Sequence, residues 1–218
     1  MEIKKYSREK LIISTDDFGK SRIANENILA LVLAGQIDRV SVLMDGEIKN
    51  SEVEKLLSSG VKIDIHLNLQ KFNDPSNESR NVFKRIAIFL AYYLLKTNSV
   101  VGKEWEQQVK KFISLFGRKP DGLNSHQYIH FFPPYFKLVL ELGKKYDIPY
   151  LRFGKNGISE NVNSISRILK GLWIINAAQF KKFSFASSEY LASYDWAKDF
   201  SEFLKKLPAG KTELIFHP

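Results

Sequence analysis

Short apolar runs alternate with longer amphipathic stretches along the 218-residue chain. The run LIIST at 11–15 is apolar and partly β-branched and predicts a first strand. Ser21 can cap a helix whose apolar positions Ile23, Ile28, Leu31 and Val32 fall near helical spacing, with Gly35 as its stop. RVSVLM at 39–44 predicts a second strand, 47–59 a helix closed by Gly60, and the alternating VKIDIHL at 61–67 a third strand. A polar loop fills 68–79, followed by a strongly apolar helix at 81–96 and another at 103–116 that Gly117 and Pro120 end. A short strand is expected at 121–125, a helix from Pro133-Pro134 to Tyr146, and a strand at 148–153 whose regularity Pro149 limits. Residues 195–207 read as a helix and 213–216 as a last strand, whereas 154–193 show no legible period.

Strand–helix alternation of this kind predicts an α/β fold of parallel β/α units with helices outside. Periodicity leaves a doubly wound sheet and a closed barrel both open. No repeat, low-complexity tract or linker divides the chain, so residues 1–218 are expected to form a single domain.

Composition narrows the chemistry. There is no cysteine, which excludes a disulfide framework, a thiolate nucleophile and cysteine-ligated zinc or iron–sulfur centres. The net charge of +9 comes from dispersed lysine pairs such as Lys110-Lys111 and Lys144-Lys145, the pattern of a solvated surface, and no nucleic-acid partner is expected. The longest apolar run, residues 86–95, is half of what a membrane-spanning helix needs, and is read as a buried or partner-facing helix that could form a homodimer face. The polar first ten residues and the absence of cysteine lead to an expectation of a cytoplasmic protein.

Four histidines, His66, His126, His130 and His217, are the scarce groups. Asp16 and Asp17 follow the first strand, and His66, His126, Arg152 and His217 each fall at or just beyond the carboxyl end of another predicted strand. That rim is where parallel α/β folds build their sites. Adjacent carboxylates in an apolar-flanked turn need a cation or a proton. One carboxylate with two imidazoles makes a three-ligand set with open positions, and the second aspartate is then free to act as a base on metal-bound water. Blander readings exist for each residue alone: a turn at Asp16-Asp17, a core His66, a shared face for His126 and His130, and a frayed His217. Together they leave the shared rim unexplained.

The stretch LIISTDDFGKSRIANENILALVLAGQIDRVSVLM resembles the opening of the YdjC-like carbohydrate deacetylases, the family that includes chitooligosaccharide deacetylase. IDIHLNL, GLNSHQYIHFFP, YLRFG and ELIFHP resemble later family segments, in the same order, so the resemblance covers nearly the whole chain. It implies a distorted (β/α) barrel of about seven parallel strands and metal-dependent removal of an N-acetyl group from an acetylated amino sugar, as oligosaccharide or glycoconjugate. By position, Asp17, His66 and His126 would hold one divalent ion, Mg²⁺ or Zn²⁺, and Asp16 would be the base. His217 would supply the proton for the leaving amine and Arg152 would orient Asp16 or substrate. His130, Asn124 and Tyr128 would stand behind the ligands or against substrate, with Tyr128 where many members carry histidine. Family members usually run longer, and the loop after Leu69 is shorter here. A carbohydrate- or lipid-binding relative without catalysis, and a metal-dependent phosphoesterase, are the alternative readings.

Overall fold

The computed structural model describes residues 8–69, 98–159, 164–197 and 199–217. The apolar helix expected at 81–96, and most of the loop before it, lie outside the described residues.

In chain order the elements are β1 (Leu11–Phe18), α1 (Arg22–Leu33), β2 (Arg39–Val42), α2 (Asn50–Ser59), β3 (Lys62–Leu67), α3 (Asn98–Phe116) and β4 (Gly122–Ser125). They continue with α4 (Pro133–Lys145), β5 (Tyr150–Leu151), β6 (Gly157–Ile158), α5 (Ser164–Phe180), β7 (Tyr190–Ser193), α6 (Phe200–Lys205) and β8 (Thr212–Phe216). All eight strands join one parallel sheet in the order β5-β4-β3-β2-β1-β8-β7-β6, curled into a half-barrel. The count is eight rather than about seven because two edge strands are only two residues long.

The sheet puts β1 at its centre. Leu11 to Thr15 pair with Thr212 to Phe216 of β8 on one side, and Ser14 and Thr15 pair with Arg39 and Val40 of β2 on the other. A strand covered on both faces has no solvent side, so β1 opens as a continuous apolar run and the polar residues that alternate along β2 and β3, Ser41, Asp64 and His66 among them, are buried too. Ser21 caps α1, its side chain accepting from the Ala24 backbone N–H, and the helix buries Asn25, Ile28, Leu29 and Val32. Ile23, counted among its apolar positions, is instead exposed.

Several boundaries differ from expectation. The helix expected from 47 begins at Asn50, and α3 starts five residues before 103. The helix expected over 195–207 is a short 3₁₀ turn, Tyr194–Trp196, followed by α6. The illegible stretch at 154–193 holds β6, α5 and β7.

The aromatic residues gather around Phe153. Its ring lies 4.6 Å from Phe180, 5.0 Å from Phe136, 5.6 Å from Phe131 and 5.8 Å from Trp173. Pairs of this kind contribute about 0.5–1.5 kcal/mol each beyond area burial. They fix the backbone just after Arg152, and so fix where that guanidinium begins.

Candidate active site

Two neighbouring residues of an extended chain point to opposite faces, yet Asp16 and Asp17 both reach the carboxyl rim of the sheet. The backbone supplies the reason. β1 runs through Phe18, and its register against β2 shifts between Thr15 and Phe18. Within that bulge Asp17 adopts φ +68°, a left-handed conformation that aspartate tolerates better than most residues. Gly19 follows at φ +98°, and its N–H donates to Asn25 Oδ1 at 2.6 Å, so α1 clamps the turn. Gly46 packs against the same turn, and a Cβ there would lie 1.5 Å from the Gly19 carbonyl oxygen. Backbone meets backbone at that point, so no rotamer change relieves it. Gly46→Ala is expected to destabilise the fold by about 1–3 kcal/mol and to lower metal affinity, both read from denaturant titrations and metal competition. An alanine variant with unchanged midpoint would show the contact to be slack.

Asp17, His66 and His126 offer one ligand atom each within 4.8 Å of one another. His126 Nδ1 lies 3.0 Å from Asp17 Oδ1, and His66 Nε2 lies 3.6 Å from the same oxygen. His66 Nδ1 is hydrogen-bonded to Asn124 Oδ1, and Asn124 Nδ2 donates to Ser41 Oγ at 2.8 Å. An amide oxygen on Nδ1 requires the proton there; when the ring is protonated Nε2–H faces Asp17 Oδ1, and when it is neutral the Nε2 lone pair is left free for a metal ion. That is the usual way a metal-ligating histidine is held. Two imidazoles and a carboxylate on a buried rim fit a divalent ion of the zinc type well and magnesium, an oxygen-preferring ion, less naturally. Burial pushes the Asp17 carboxyl toward neutrality, but hydrogen bonds from His126 and His66 outweigh it and hold the group well below the usual carboxylate range.

Behind the ligands lies a buried chain of charges. Arg152 is fully enclosed and divides its donors three ways. Nη1 donates to Asp16 Oδ2 at 2.8 Å, Nε to Glu213 Oε1 at 2.7 Å, and Nη2 to Ser41 Oγ at 3.0 Å. Glu213 also accepts from Ser14 Oγ at 2.8 Å and from Tyr150 Oη at 2.7 Å. Burial raises the Asp16 pKa, yet Arg152 and His66 more than offset it, so the group stays ionised far into the acid range. Its second oxygen, Oδ1, is buried without a hydrogen-bond partner among the described residues.

The other predicted residues take separate places. His217 Nδ1 sits 2.9 Å from Asp195 Oδ2, while its Nε2 is 4.0 Å from Asp16 Oδ2. Tyr128 packs its ring on Trp196 at 5.4 Å from a left-handed backbone (φ +57°); burial raises its hydroxyl pKa, and the charge of Asp16 raises it further. His130 is apart from the ligand triplet: its Nδ1 meets Ser125 Oγ at 2.6 Å and its Nε2 meets the Arg152 carbonyl at 3.0 Å. It therefore ties the segment His126–Phe131 to β5.

Burial pushes His130 down to about 3. Its unfolded value is near 6.5, so between those limits the unfolded chain takes up a proton that the folded chain refuses. Stability is thus expected to fall as pH drops from 6.5, by roughly 1 kcal/mol or more per pH unit. Asp16 and Asp17 add their own loss only below about pH 4, where unfolded carboxyls protonate. Denaturant midpoints of His130→Gln should be flatter than those of the parent between pH 6.5 and 4.5; parallel curves would refute the assignment.

Glu213, Ser41, Asn25 and Asp195 escaped the sequence reading. A lone acid inside TELIF, on a strand flanked by apolar residues, was the available signal for Glu213.

A family model described as YdjC-like protein matches residues 10–218. Proteins named carbohydrate deacetylase are similar over about two thirds of the chain. That of Halalkalibacterium halodurans is 28% identical over 148 residues, covering 64% of this chain and 62% of its own length. That of Mus musculus is 25% identical over 159 residues, covering 67% and 51%, and that of Homo sapiens 25% over 156 residues, covering 66% and 48%. The aligned part therefore spans about half to three fifths of these curated relatives. A crystal structure from Enterococcus faecalis V583, described as a cellobiose-phosphate cleavage protein, superposes with a TM-score of 0.67 at 21% identity, over 97% of this chain and 82% of that one. It shares the fold. With a family model matching nearly every residue and the same curled parallel sheet in a solved relative, the chain belongs to the YdjC-like protein family.

Proposed function

We propose that the protein hydrolyses the N-acetyl group of an acetylated amino sugar, using one divalent ion held by Asp17, His66 and His126. The observation that carries the reading is the ligand triplet within 4.8 Å, set beside an ionised Asp16 whose Oδ1 has no partner among the described residues. The relatives named carbohydrate deacetylase support the substrate class.

When bound, the ion supplies an acidified water and a positive charge facing the amide carbonyl. Asp16 then has a defined task. Its Oδ2 is held by Arg152, and its bare Oδ1 takes the proton of the attacking water. The Arg152 pair keeps Asp16 deprotonated across the neutral range, so the base is always available though intrinsically weak. The C–N bond breaks to acetate and a free amine, and the amine needs a proton as it leaves. We assign that donation to His217, whose Nδ1 lies 2.9 Å from Asp195 Oδ2 and whose Nε2 lies 4.0 Å from Asp16 Oδ2. The proton that Asp16 has taken and the one that His217 has given are then exchanged with solvent, which restores both groups.

Elemental analysis of the purified protein, paired with an acetate-release screen over N-acetylglucosamine oligomers and acetylated amino-sugar glycolipids, tests the proposal. One divalent ion per chain and acetate release that chelation abolishes are expected. Metal-loaded protein that releases no acetate from any of them, or that releases phosphate from phosphoesters instead, overturns it.

A further inference from the structure

Exposed large aliphatic side chains are concentrated on one helix. Ile165, Ile168, Ile174 and Ile175 of α5 are 55–61% exposed. The first, second and fourth, with half-buried Leu172 between them, follow i, i+3, i+7, i+10 spacing and so form one stripe along the helix. The flank of the helix beside the stripe is spent on the core, through Leu169, Asn176 and Phe180. Gly171 lies beside the stripe, and a Cβ built there would meet nothing within 4 Å. Among the described residues nothing covers that position.

The charge around it has one sign. Arg167, Lys170, Lys181 and Lys182 are exposed along or just after the helix, and residues 164–188 contain neither aspartate nor glutamate. A second copy of the chain docked through this face would set cations against cations with no local acid to pair them, which disfavours a two-fold interface. An apolar stripe on a helix whose other solvent-facing positions carry Arg167 and Lys170 instead matches the boundary layer of an anionic bilayer, where apolar side chains enter the acyl edge and cations stay at the headgroups. The overall charge of +9 acts in the same direction.

We infer that α5 is a docking surface for an anionic membrane. The connection fixes how the protein then lies. β6 and β7 are parallel, so α5 between them runs back against the strands and starts at their carboxyl rim. Asn176 Nδ2 donates to the Phe131 carbonyl at 2.6 Å, tying the helix to the segment that carries His126. Docking along α5 brings the rim near the lipid surface. The inference stands apart from the chemistry assigned to the site.

Co-sedimentation of the full chain with vesicles tests it, comparing pure phosphatidylcholine with a 7:3 mixture of phosphatidylcholine and phosphatidylglycerol. At least tenfold stronger binding to the anionic vesicles is expected, weakening with added salt. Ile168→Glu with Ile175→Glu should abolish it while leaving the far-ultraviolet circular dichroism and melting temperature unchanged. Gly171→Trp, whose side chain enters open space, should strengthen it and show blue-shifted tryptophan emission on the vesicles. The inference fails if the parent chain does not bind anionic vesicles, if the glutamate variant binds as the parent does, or if the parent is a dimer in light scattering that the glutamate variant splits.

Discussion

Asp16→Asn is expected to lower acetate release by about 10²–10⁴-fold, the usual worth of a positioned general base, with metal content unchanged at one ion per chain. The substitution is nearly isosteric, and an amide oxygen can still accept from Arg152 Nη1. What changes is the atom facing the water. The unpartnered Oδ1 acceptor becomes an NH₂ donor that cannot take a proton. The melting temperature should move little, because Arg152 keeps Glu213 as its second anion. Steady-state kinetics and elemental analysis on one sample separate the possibilities. Full activity would remove Asp16 from the chemistry, whereas loss of the ion along with activity would move it into the ligand set.

Glu213→Ala is expected to destabilise the protein by about 3–5 kcal/mol, the cost of breaking a buried ion pair by removing one partner. The carboxylate is fully enclosed and accepts from Ser14, Tyr150 and Arg152. Its truncation strands two hydroxyls and leaves Arg152 balanced by Asp16 alone. For a domain of this size the melting temperature should drop by roughly 6–20 °C. Glu213→Gln, which keeps the shape and loses the charge, should fall between parent and alanine variant. A denaturant midpoint for Glu213→Ala within 1 kcal/mol of the parent would mean that the network relaxes around the gap.

These two residues show what was legible in the sequence. Asp16 announced itself, because an Asp-Asp pair after an apolar run is costly without a compensating cation. The other rim residues were readable for a related reason: a parallel sheet delivers every strand end to one side, so approximate strand positions sufficed. Glu213 was not readable in this way. Its meaning depends on Arg152, Ser14 and Tyr150, which arrive from β5 and β1, and nothing local in TELIF names those partners. The stretch at 154–193 failed for another reason. β6 is two residues long and α5 is apolar on its solvent side as well as its core side, so neither shows the period that marks an element. The turn at Asp16-Asp17 lay between these cases. The pairing of carboxylates was visible, but the left-handed Asp17 that aims both at one place was a property of the bulge.

The neighbour of β1 across the sheet is β8, and 199 residues separate Ser14 from Glu213. During synthesis β2 can pair with β1 almost at once, but β8 is made 199 residues after Ser14. At about 5–20 residues per second, one edge of the central strand waits roughly 10–40 s for its partner. For that interval an apolar strand edge is bare, a template for pairing with other nascent chains. Glu213, one of the two anions that balance Arg152, is also missing until then. A yield that depends on translation speed is the expected cellular counterpart of pairing β1 with a strand so distant in the chain.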